Sequence, residues 1–311
     1  MRLIVDTSNL LFGVYMSVVH SPKNAMLPQS TRSLMTKEYI IQKIIRTASN
    51  MNIRNHEITL ALDCGSWRKD FFPYYKHKRK ESRDDSTYPE MIEWFKGFEN
   101  EILTMLPWKV IRVPNTEADD VIGVLAPILS KKDTVVILSK DKDFLQLVNC
   151  SIKIVDPFTG EMKCKYKLYK DKEGDDVFMN VTNEDEARRF TLFHVLLGDS
   201  SDGIPNAITP DDHYVTKQRA KPFGVKTILK NYFGDDPNQN SENLKKLHHE
   251  HKDKIERNMK LIDLKFIPKD IRQKIINEYN KPTEKDVEAF ETWCNENNLF
   301  NLLNQFKRSL I

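Results

Sequence analysis

Short apolar segments in the first half of the chain each run into a carboxylate, and this pattern constrains the fold most. The segments at residues 2–6, 58–63 and 135–141 run into Asp6, Asp63 and Asp141. Segments of helical periodicity separate them, an alternation typical of a largely parallel sheet flanked by helices. The carboxyl ends of parallel strands share one edge, where open α/β sheets bind ligands. The sequence therefore predicts an α/β fold with an acidic ligand-binding edge.

Nine carboxylates fall at or near that predicted edge. They are Asp6, Asp63, Glu117, Asp119, Asp120, Asp141, Asp143, Asp199 and Asp202. Each group alone can be explained as a helix cap or a turn, but those explanations do not account for their joint placement. Crowded carboxylates repel one another unless cations lie between them. Because Mg²⁺ takes only one or two carboxylates directly, nine acids suit two Mg²⁺ ions, with Mn²⁺ as a substitute.

The second half of the chain has a different character. After about residue 183 the patterns are mostly helical, at residues 184–197, 225–232, 241–262 and 284–310, and the polar residues 206–222 look like an exposed loop. We therefore predict an α/β domain over residues 1–182 and a helical domain over residues 183–311. Asp199 and Asp202 come from the helical part, so we expect the second metal site to depend on how the two parts are positioned, and to be the weaker one.

Bulk composition constrains the compartment more than the activity. The chain has 48 basic and 45 acidic residues, a net charge of +3, so the placement of charge matters more than its total. No segment approaches the roughly 18 apolar residues of a membrane span. The four cysteines form no C-x-x-C pair, so neither a zinc site nor a disulfide framework is indicated. We expect a soluble cytoplasmic protein with free thiols and no membrane partner.

A basic and aromatic segment follows Asp63. Seven of the 17 residues at 67–83 are Lys or Arg, and five are aromatic. A solvated helix face is the usual explanation for a charge run. Here the run begins four residues after a predicted strand end, so it should overhang the acidic edge. Cations beside a metal site can grip phosphate, and aromatic rings can stack on unpaired bases, so the two features together favour a phosphodiester substrate.

Two later motifs point to contacts with a nucleic-acid backbone. Gly198-Asp-Ser-Ser-Asp-Gly-Ile-Pro205 ends a predicted helix, and Gly224-Val-Lys-Thr227 begins another. A helix cap followed by a turn explains the first motif equally well. The second is not a phosphate-binding P-loop, because the glycine expected five residues earlier is missing. A helix N-terminus bearing Lys226 and Thr227 can still hold a DNA backbone.

With these motifs the chain resembles the FEN-like 5′ nucleases, the family of flap endonucleases and 5′→3′ exonucleases, and within it the T-even bacteriophage ribonuclease H branch. The resemblance covers nearly the whole chain. It is carried by Trp67-Arg-Lys69, Tyr74-Tyr-Lys-His-Lys-Arg79, Glu117-Ala-Asp-Asp120, Ser139-Lys-Asp-Lys-Asp-Phe144 and the motif at residues 198–205. It implies a PIN-like nuclease core with a helical C-terminal region that contains a helix–turn–helix clamp on DNA.

The resemblance also implies residue roles. The first five of the nine acids would form or support one metal site, Asp141 and Asp143 would lie at the junction, and Asp199 and Asp202 would build the second site. Lys76 and Arg79 would hold the scissile phosphate, and Tyr75 would stack on a base, within a helical arch at about residues 67–95. The DNA-binding residues would be Arg68, Lys69, Lys78, Lys80, Arg83, Ser200, Ser201, Gly203, Lys226 and Thr227. Residues 206–222 depart from the family pattern, so we expect a remodelled clamp and K⁺ site.

The function implied is a Mg²⁺-dependent 5′ nuclease that acts on DNA and RNA–DNA duplexes with a 5′ single strand or flap, including primer removal in phage DNA replication. Hydrolysis would leave a 5′-phosphate and a 3′-hydroxyl. By the same resemblance, a single-strand-binding protein and a sliding clamp are candidate partners of a monomer. Three alternatives remain open. They are a PIN-like ribonuclease, a non-catalytic DNA-binding protein, and a phosphatase, which the N-terminal Asp-Thr-Ser disfavours because it lacks Asp-x-Asp.

Overall fold

The centre of the molecule is a five-stranded parallel sheet, seen in a computed structural model that describes residues 1–77, 87–216, 222–283 and 286–310. Its strands are β1 (Arg2–Asp6), β2 (Ile58–Ala61), β3 (Lys109–Ile111), β4 (Val135–Leu138) and β5 (Ile152–Val155). Their order across the sheet is β3-β2-β1-β4-β5, and every neighbouring pair is parallel. The predicted α/β class is confirmed, and Asp6 lies at the end of the central strand.

Helices cover both faces of this sheet. Within the described ranges the α-helices are α1 (Thr7–Val19), α2 (Gln29–Asn50), α3 (Arg68–Phe71), α4 (Thr87–Glu101), α5 (Ala118–Leu129), α6 (Glu184–Leu197), α7 (His213–Thr216), α8 (Val225–Tyr232), α9 (Pro237–Ile262), α10 (Lys269–Asn280), α11 (Val287–Glu296) and α12 (Phe300–Leu310). Short 3-10 turns include Asp143–Leu147 and Leu264–Phe266. An antiparallel hairpin, β6 (Lys165–Lys170) with β7 (Asp176–Asn180), lies outside the main sheet.

Alternate side chains of each strand enter two hydrophobic cores. Leu3 and Val5 of β1 enter one core, and Ile4 enters the other. The first core is shared with α1, α2, α4, α11 and α12, and the second with α5, α6, α8, α9 and α10. Strands buried on both faces carry nearly continuous apolar runs, which is why these strands could be recognised in the sequence. The helical second half therefore packs on both faces of the sheet.

Two helices were missed by the sequence patterns. Helix α1 carries apolar residues around most of its circumference, and six of its residues are buried. It therefore lacks the amphipathic stripe by which a helix is recognised in a sequence. Helix α10 has few apolar anchors, because it buries only Ile271 and Ile275. No helix in the described part of the chain combines the length and apolar character needed to cross a bilayer.

Candidate active site

The strand ends carry carboxylates that are already fixed by the backbone. Asp6 caps α1, where its Oδ1 accepts a hydrogen bond from the Asn9 amide at 3.2 Å, and its Oδ2 accepts one from Ser139 Oγ at 2.7 Å. Asp63 Oδ1 accepts a hydrogen bond from the amide of Ala118, the first residue of α5, at 2.7 Å. Helix N-termini favour negative charge, so the fold holds both carboxylates at the carboxyl edge of the sheet.

Asp6, Asp119 and Asp141 form a set in which burial and mutual repulsion outweigh the lysines nearby. Burial raises the pKa of Asp6 to about 7, and the charges of Asp63 and Asp141 add to the effect. Burial and the charges of Asp141 and Asp6 raise the pKa of Asp119 well above its ordinary value. Burial and the charge of Asp143 also raise the pKa of Asp141. A divalent cation would relieve this repulsion, so these oxygens are the expected kind of ligand for Mg²⁺.

Glu117 lies in a different, cation-rich environment. Its Oε2 accepts hydrogen bonds from Ser66 Oγ at 2.8 Å, Tyr75 Oη at 2.9 Å and an Arg68 guanidinium nitrogen at 3.2 Å. Its Oε1 forms an ion pair with Lys76 Nζ. Burial acts to raise the pKa of Glu117, but the charges of Lys76 and Arg68 outweigh it and lower the pKa to about 2. Glu117 is therefore held ionised by the chain itself.

Arg68 is buried at the centre of this environment, with 3% of its surface exposed. Its guanidinium donates to Asp120 Oδ1 at 2.8 Å and to the carbonyl oxygen of Leu261 at 2.9 Å, in addition to Glu117. The sequence prediction placed Arg68 on DNA. The structure corrects it, because the buried guanidinium is occupied by carboxylates and a carbonyl oxygen and is not open to a phosphate. Its partner Asp120 is fully buried and also accepts from Trp67 Nε1 at 3.2 Å.

Tyr75 and Lys76 connect the sheet edge to the motif after α6. The Tyr75 hydroxyl lies 2.9 Å from Glu117 Oε2 and 3.1 Å from Asp202 Oδ2. Lys76 Nζ lies 3.6 Å from the same Asp202 oxygen. The hydroxyl of Tyr75 thus bridges two carboxylates, and the side chain is 4% exposed, so its ring is not open here for the base stacking predicted for it. These contacts bring Asp202 from the helical part to Glu117 from the sheet part.

A second cluster contains Asp143, Asp199, Lys142 and His194. Lys142 Nζ lies 3.0 Å from Asp143 Oδ1 and 2.6 Å from Asp199 Oδ2. His194 lies between the same acids, with Nδ1 3.5 Å from Asp143 Oδ1 and Nε2 3.5 Å from Asp199 Oδ2. Asp143, His194 and Asp199 offer ligand atoms within 4.8 Å of one another, close enough to hold a metal ion. Burial would raise the pKa of Asp199, but His194 and Lys142 hold it below its usual range.

His194 was not identified from the sequence. It lies in the last turn of α6, four residues before Gly198, on a helix face that is otherwise apolar. A single histidine in such a pattern usually indicates a core residue. Only the position of Gly198-Asp199 immediately after the helix could have drawn attention to it.

The remaining predicted DNA-binding residues have mixed positions. Lys69, Ser200, Ser201, Lys226 and Thr227 are exposed, whereas Gly203 is buried. Lys226, in the first turn of α8, lies with Nζ 4.9 Å from the centre of the Tyr169 ring. Lys78, Arg79, Lys80 and Arg83 lie outside the described residues. The exposed residues leave room for contacts with a nucleic-acid backbone.

Residues 206–222 were expected to be an exposed loop, but the first part of this stretch, at residues 206–209, is anchored. Ala207 and Thr209 are 0% and 1% exposed. Arg257 of α9 donates to the carbonyl oxygens of Pro205 at 3.0 Å and Asn206 at 3.2 Å. Asn258 donates to the Pro205 carbonyl at 2.9 Å. Polar loops can be buried when each backbone group finds a partner, and here α9 supplies the partners.

Comparison with known proteins gave consistent matches along the chain. Residues 1–178 match the family model of the 5′-3′ exonuclease N-terminal resolvase-like domain, and residues 187–306 match that of the T4 RNase H C-terminal region. Ribonuclease H of Enterobacteria phage T4 is 26% identical over 265 residues, which span 80% of this chain and 79% of that protein. A 5′-3′ exonuclease of Aquifex aeolicus is 32% identical over 133 residues, 42% of each chain.

Solved structures share the fold at lower sequence identity. A bacteriophage T5 protein co-crystallised with metal ions gives a TM-score of 0.58 at 18% identity, covering 89% of this chain and 97% of that one. A bacteriophage T5 flap endonuclease in complex with DNA and metal ions gives 0.56 at 18% identity, covering 90% and 99%. These likenesses extend over the sheet and the helical second half.

Proposed function

Since the chain belongs to the 5′-3′ exonuclease family, we propose that it is a Mg²⁺-dependent 5′ nuclease that cuts DNA and RNA–DNA duplexes carrying a 5′ single strand or flap. One observation carries this proposal. Lys76 and Tyr75 contact both Glu117 and Asp202, and these contacts lie beside carboxyl groups whose pKa is raised. A phosphodiester has two requirements, a metal site and a cation for its charge. The chain offers both within one edge of the sheet.

The donor atoms at this edge fit Mg²⁺. Asp6, Asp119 and Asp141 offer carboxylate oxygens with raised pKa values, and Asp63 lies beside them. Mg²⁺ prefers oxygen ligands and retains water. Two such ions supply a water of lowered pKa and neutralise charge on the leaving oxygen. We assign the first ion to this set and the second to Asp143 and Asp199, with Asp202 nearby. The other two acids, Glu117 and Asp120, act as supports.

Lys76 is the positioning cation of the scheme. Its ammonium lies against Glu117 and Asp202, so it can turn to a phosphate that enters between them without a large movement of its backbone. Charge held in place before the reaction stabilises charge that develops during it. Arg79 adds a second cation by resemblance. Arg68 supports Glu117 and Asp120 and does not touch the substrate.

Substrate binding is assigned to two regions of the chain. We propose a nuclease domain at residues 1–182 with an arch at about residues 67–95, and a DNA-binding helical domain at residues 183–311. Exposed Lys69, Ser200, Ser201, Lys226 and Thr227 would contact the backbone of the nucleic acid. A role in phage DNA replication as a monomer, alongside a single-strand-binding protein and a sliding clamp, follows from the resemblance.

Cleavage of a 5′-labelled flap in Mg²⁺ tests the proposal. We expect the wild-type protein to cut the flap, and Asp141→Asn and Lys76→Ala each to lower the rate by roughly 100-fold or more. Lys132→Ala is the matched control, because Lys132 is exposed and precedes β4 at the opposite edge of the sheet. Undiminished cleavage by both site variants would contradict the assignment.

A substrate panel separates this function from the alternatives. Flap, nicked, gapped and RNA–DNA hybrid duplexes with labelled 5′ ends should all be cut near the 5′ end. Cleavage of single-stranded RNA alone would instead indicate a PIN-like ribonuclease. Salt-sensitive binding without turnover in Mg²⁺ would indicate a non-catalytic DNA-binding protein.

A further inference from the structure

The imidazole of His194 has an unusual environment for a buried side chain. It is 2% exposed and lies between two carboxylates contributed by different parts of the chain. Its Nδ1 is buried and has no hydrogen-bond partner within the described part of the chain. A buried polar atom without a partner destabilises the folded protein. A ligand that engages Nδ1 would remove that destabilisation.

The ring is oriented as metal-binding histidines usually are. Nε2 faces Asp199 Oδ2 at 3.5 Å, and Nδ1 faces Asp143 Oδ1 at the same distance. A carboxylate on one ring nitrogen favours the tautomer that carries its proton there, which leaves a lone pair on the other nitrogen. For His194, a proton on Nε2 beside Asp199 would leave the lone pair on Nδ1, which faces Asp143.

We propose that His194 Nδ1 and Asp143 hold one divalent transition-metal ion, with Asp199 orienting the imidazole, so that the second metal site prefers Mn²⁺ to Mg²⁺. The proposal rests on the proposed function and refines it, because Asp143 stays a ligand of the second site whereas Asp199 acts on that site through His194. Mg²⁺ favours sites made of oxygen alone, whereas imidazole nitrogen suits later divalent metals. A mixed nitrogen and oxygen set would therefore distinguish this site from the carboxylate set of Asp6, Asp119 and Asp141.

Two cavities lie against this position, one lined by His194 and Asp199 and the other by Asp143 and Asp199. A cleft of about 440 Å³ is lined by Lys142, His194 and Asp199, among other residues. Lys142 Nζ lies between the two carboxylates, but its side chain is 32% exposed. A long, partly exposed lysine can move its ammonium into water. An incoming divalent ion would then replace the ammonium as the counterion of Asp143 and Asp199.

Electron spin-echo modulation of the protein loaded with Mn²⁺ tests the proposal directly. A ¹⁴N coupling to Mn²⁺ is expected in the wild-type protein and should disappear in His194→Gln. The matched control is His213→Gln, since His213 lines the same cleft and also has a buried Nδ1 that finds no hydrogen-bond partner among the described residues. That variant should keep the coupling. Calorimetric titration should show that His194→Gln weakens one Mn²⁺ site by at least ~10-fold and changes Mg²⁺ binding less.

Several results would overturn the proposal. They are a wild-type spectrum without nitrogen coupling, coupling that survives in His194→Gln, or equal affinity for Mn²⁺ and Mg²⁺. If His194→Gln does not fold, wild-type protein labelled with ¹⁵N-histidine decides the matter, because the ¹⁴N modulation must vanish on labelling. Flap cleavage in Mg²⁺ is measured on the same samples. Cleavage without nitrogen coupling would refute only the assignment of His194 as a ligand. Nitrogen coupling without cleavage would refute only the proposed nuclease function.

Discussion

The backbone amide of Lys76 donates a hydrogen bond to the backbone carbonyl oxygen of Asp202 at 2.7 Å. This bond joins the segment after α3 to the turn after α6. Two backbone features accompany it. Lys76 has a φ of 54°, and Gly203, the residue after Asp202, has a φ of 73°. A Cβ added at Gly203 would lie 2.8 Å from the carbonyl oxygen of Tyr74, so the two segments approach as closely as a glycine permits.

Gly203→Ala should therefore separate these segments. We expect a loss of stability at least ~1 kcal/mol greater than that of the control, because the methyl group overlaps the Tyr74 carbonyl. Gly160→Ala is the control, since Gly160 has a φ of 74° but no atom within 4 Å of an added Cβ, and it should lose only the ~1–2 kcal/mol of a left-handed backbone. Urea unfolding measures both variants. Equal losses would show that the close approach does not matter.

Removing the guanidinium of Arg68 should be strongly destabilising. Arg68→Met leaves Glu117 and Asp120 buried without their shared cation, and breaking a buried ion pair in this way costs ~3–5 kcal/mol. Arg2→Met is the control, because the Arg2 and Asp133 side chains are about one third exposed, and such pairs contribute at most ~1 kcal/mol. Thermal and urea denaturation compare them. A loss for Arg68→Met no larger than for Arg2→Met would contradict the structural role.

The stability of the metal-free protein should fall as pH rises from about 4.5 to about 7. In the folded protein the pKa of Asp6 is about 7, whereas an unfolded aspartate releases its proton near pH 4. The folded state therefore binds more protons in this window and loses stability as pH rises, on the order of 2–4 kcal/mol. The lowered pKa of Glu117, about 2, acts only at more acidic pH.

Urea unfolding in EDTA across that pH range checks this slope. Asp6→Asn should flatten it, while Asp253→Asn, an exposed carboxylate of α9, should keep the wild-type slope. Adding Mg²⁺ should restore stability at pH 7, because the ion replaces the proton. A wild-type stability that rises between pH 4.5 and 7 in EDTA would refute the assignment of a raised pKa.

Lys142→Met should tighten divalent metal binding at the second cluster. The Lys142 ammonium lies 3.0 Å from Asp143 and 2.6 Å from Asp199, so it competes with an added cation for the same oxygens. We expect an affinity gain of roughly 10-fold, about 1.4 kcal/mol. Lys132→Met should leave the affinity unchanged, since Lys132 is exposed at the other edge of the sheet. Isothermal titration with Mn²⁺ provides the measurement, and weaker binding by Lys142→Met would contradict competition.

The sheet and its acidic edge could be predicted because their signals are local. Each strand has a continuous apolar run, and Asp6 and Asp63 follow directly after two such runs. Partners distant in sequence could not be predicted in the same way. Arg68 meets Asp120 across 52 residues, and Tyr75 meets Asp202 across 127. A basic and aromatic segment indicates only that its residues can bind phosphate and bases. Arg68 and Tyr75 are instead buried against carboxylates.

The sequence also could not predict which of the nine acidic residues have a raised pKa and which have a lowered one. The spacing of acidic residues along the sequence does not show whether the nearest group in space is another carboxylate or a lysine ammonium. The structure separates Asp6, whose pKa burial and repulsion raise, from Glu117, whose pKa nearby cations lower. Burial acts to raise the pKa of both carboxyls, so the net direction depends on which cations the tertiary fold brings near.

The last turn of α9 holds two polar side chains, Arg68 and Gln146, through backbone carbonyl oxygens. The carbonyl oxygen of Leu261 accepts from Arg68, and that of Ile262 accepts from Gln146 Nε2 at 3.1 Å. Every amino acid has this backbone carbonyl. Residues 261 and 262 can therefore be replaced by other apolar residues of similar volume without loss of either hydrogen bond. Arg68 and Gln146 have no such freedom. Related nucleases should thus retain the two polar side chains, whereas the amino acids at the end of the helix that accepts their hydrogen bonds should vary.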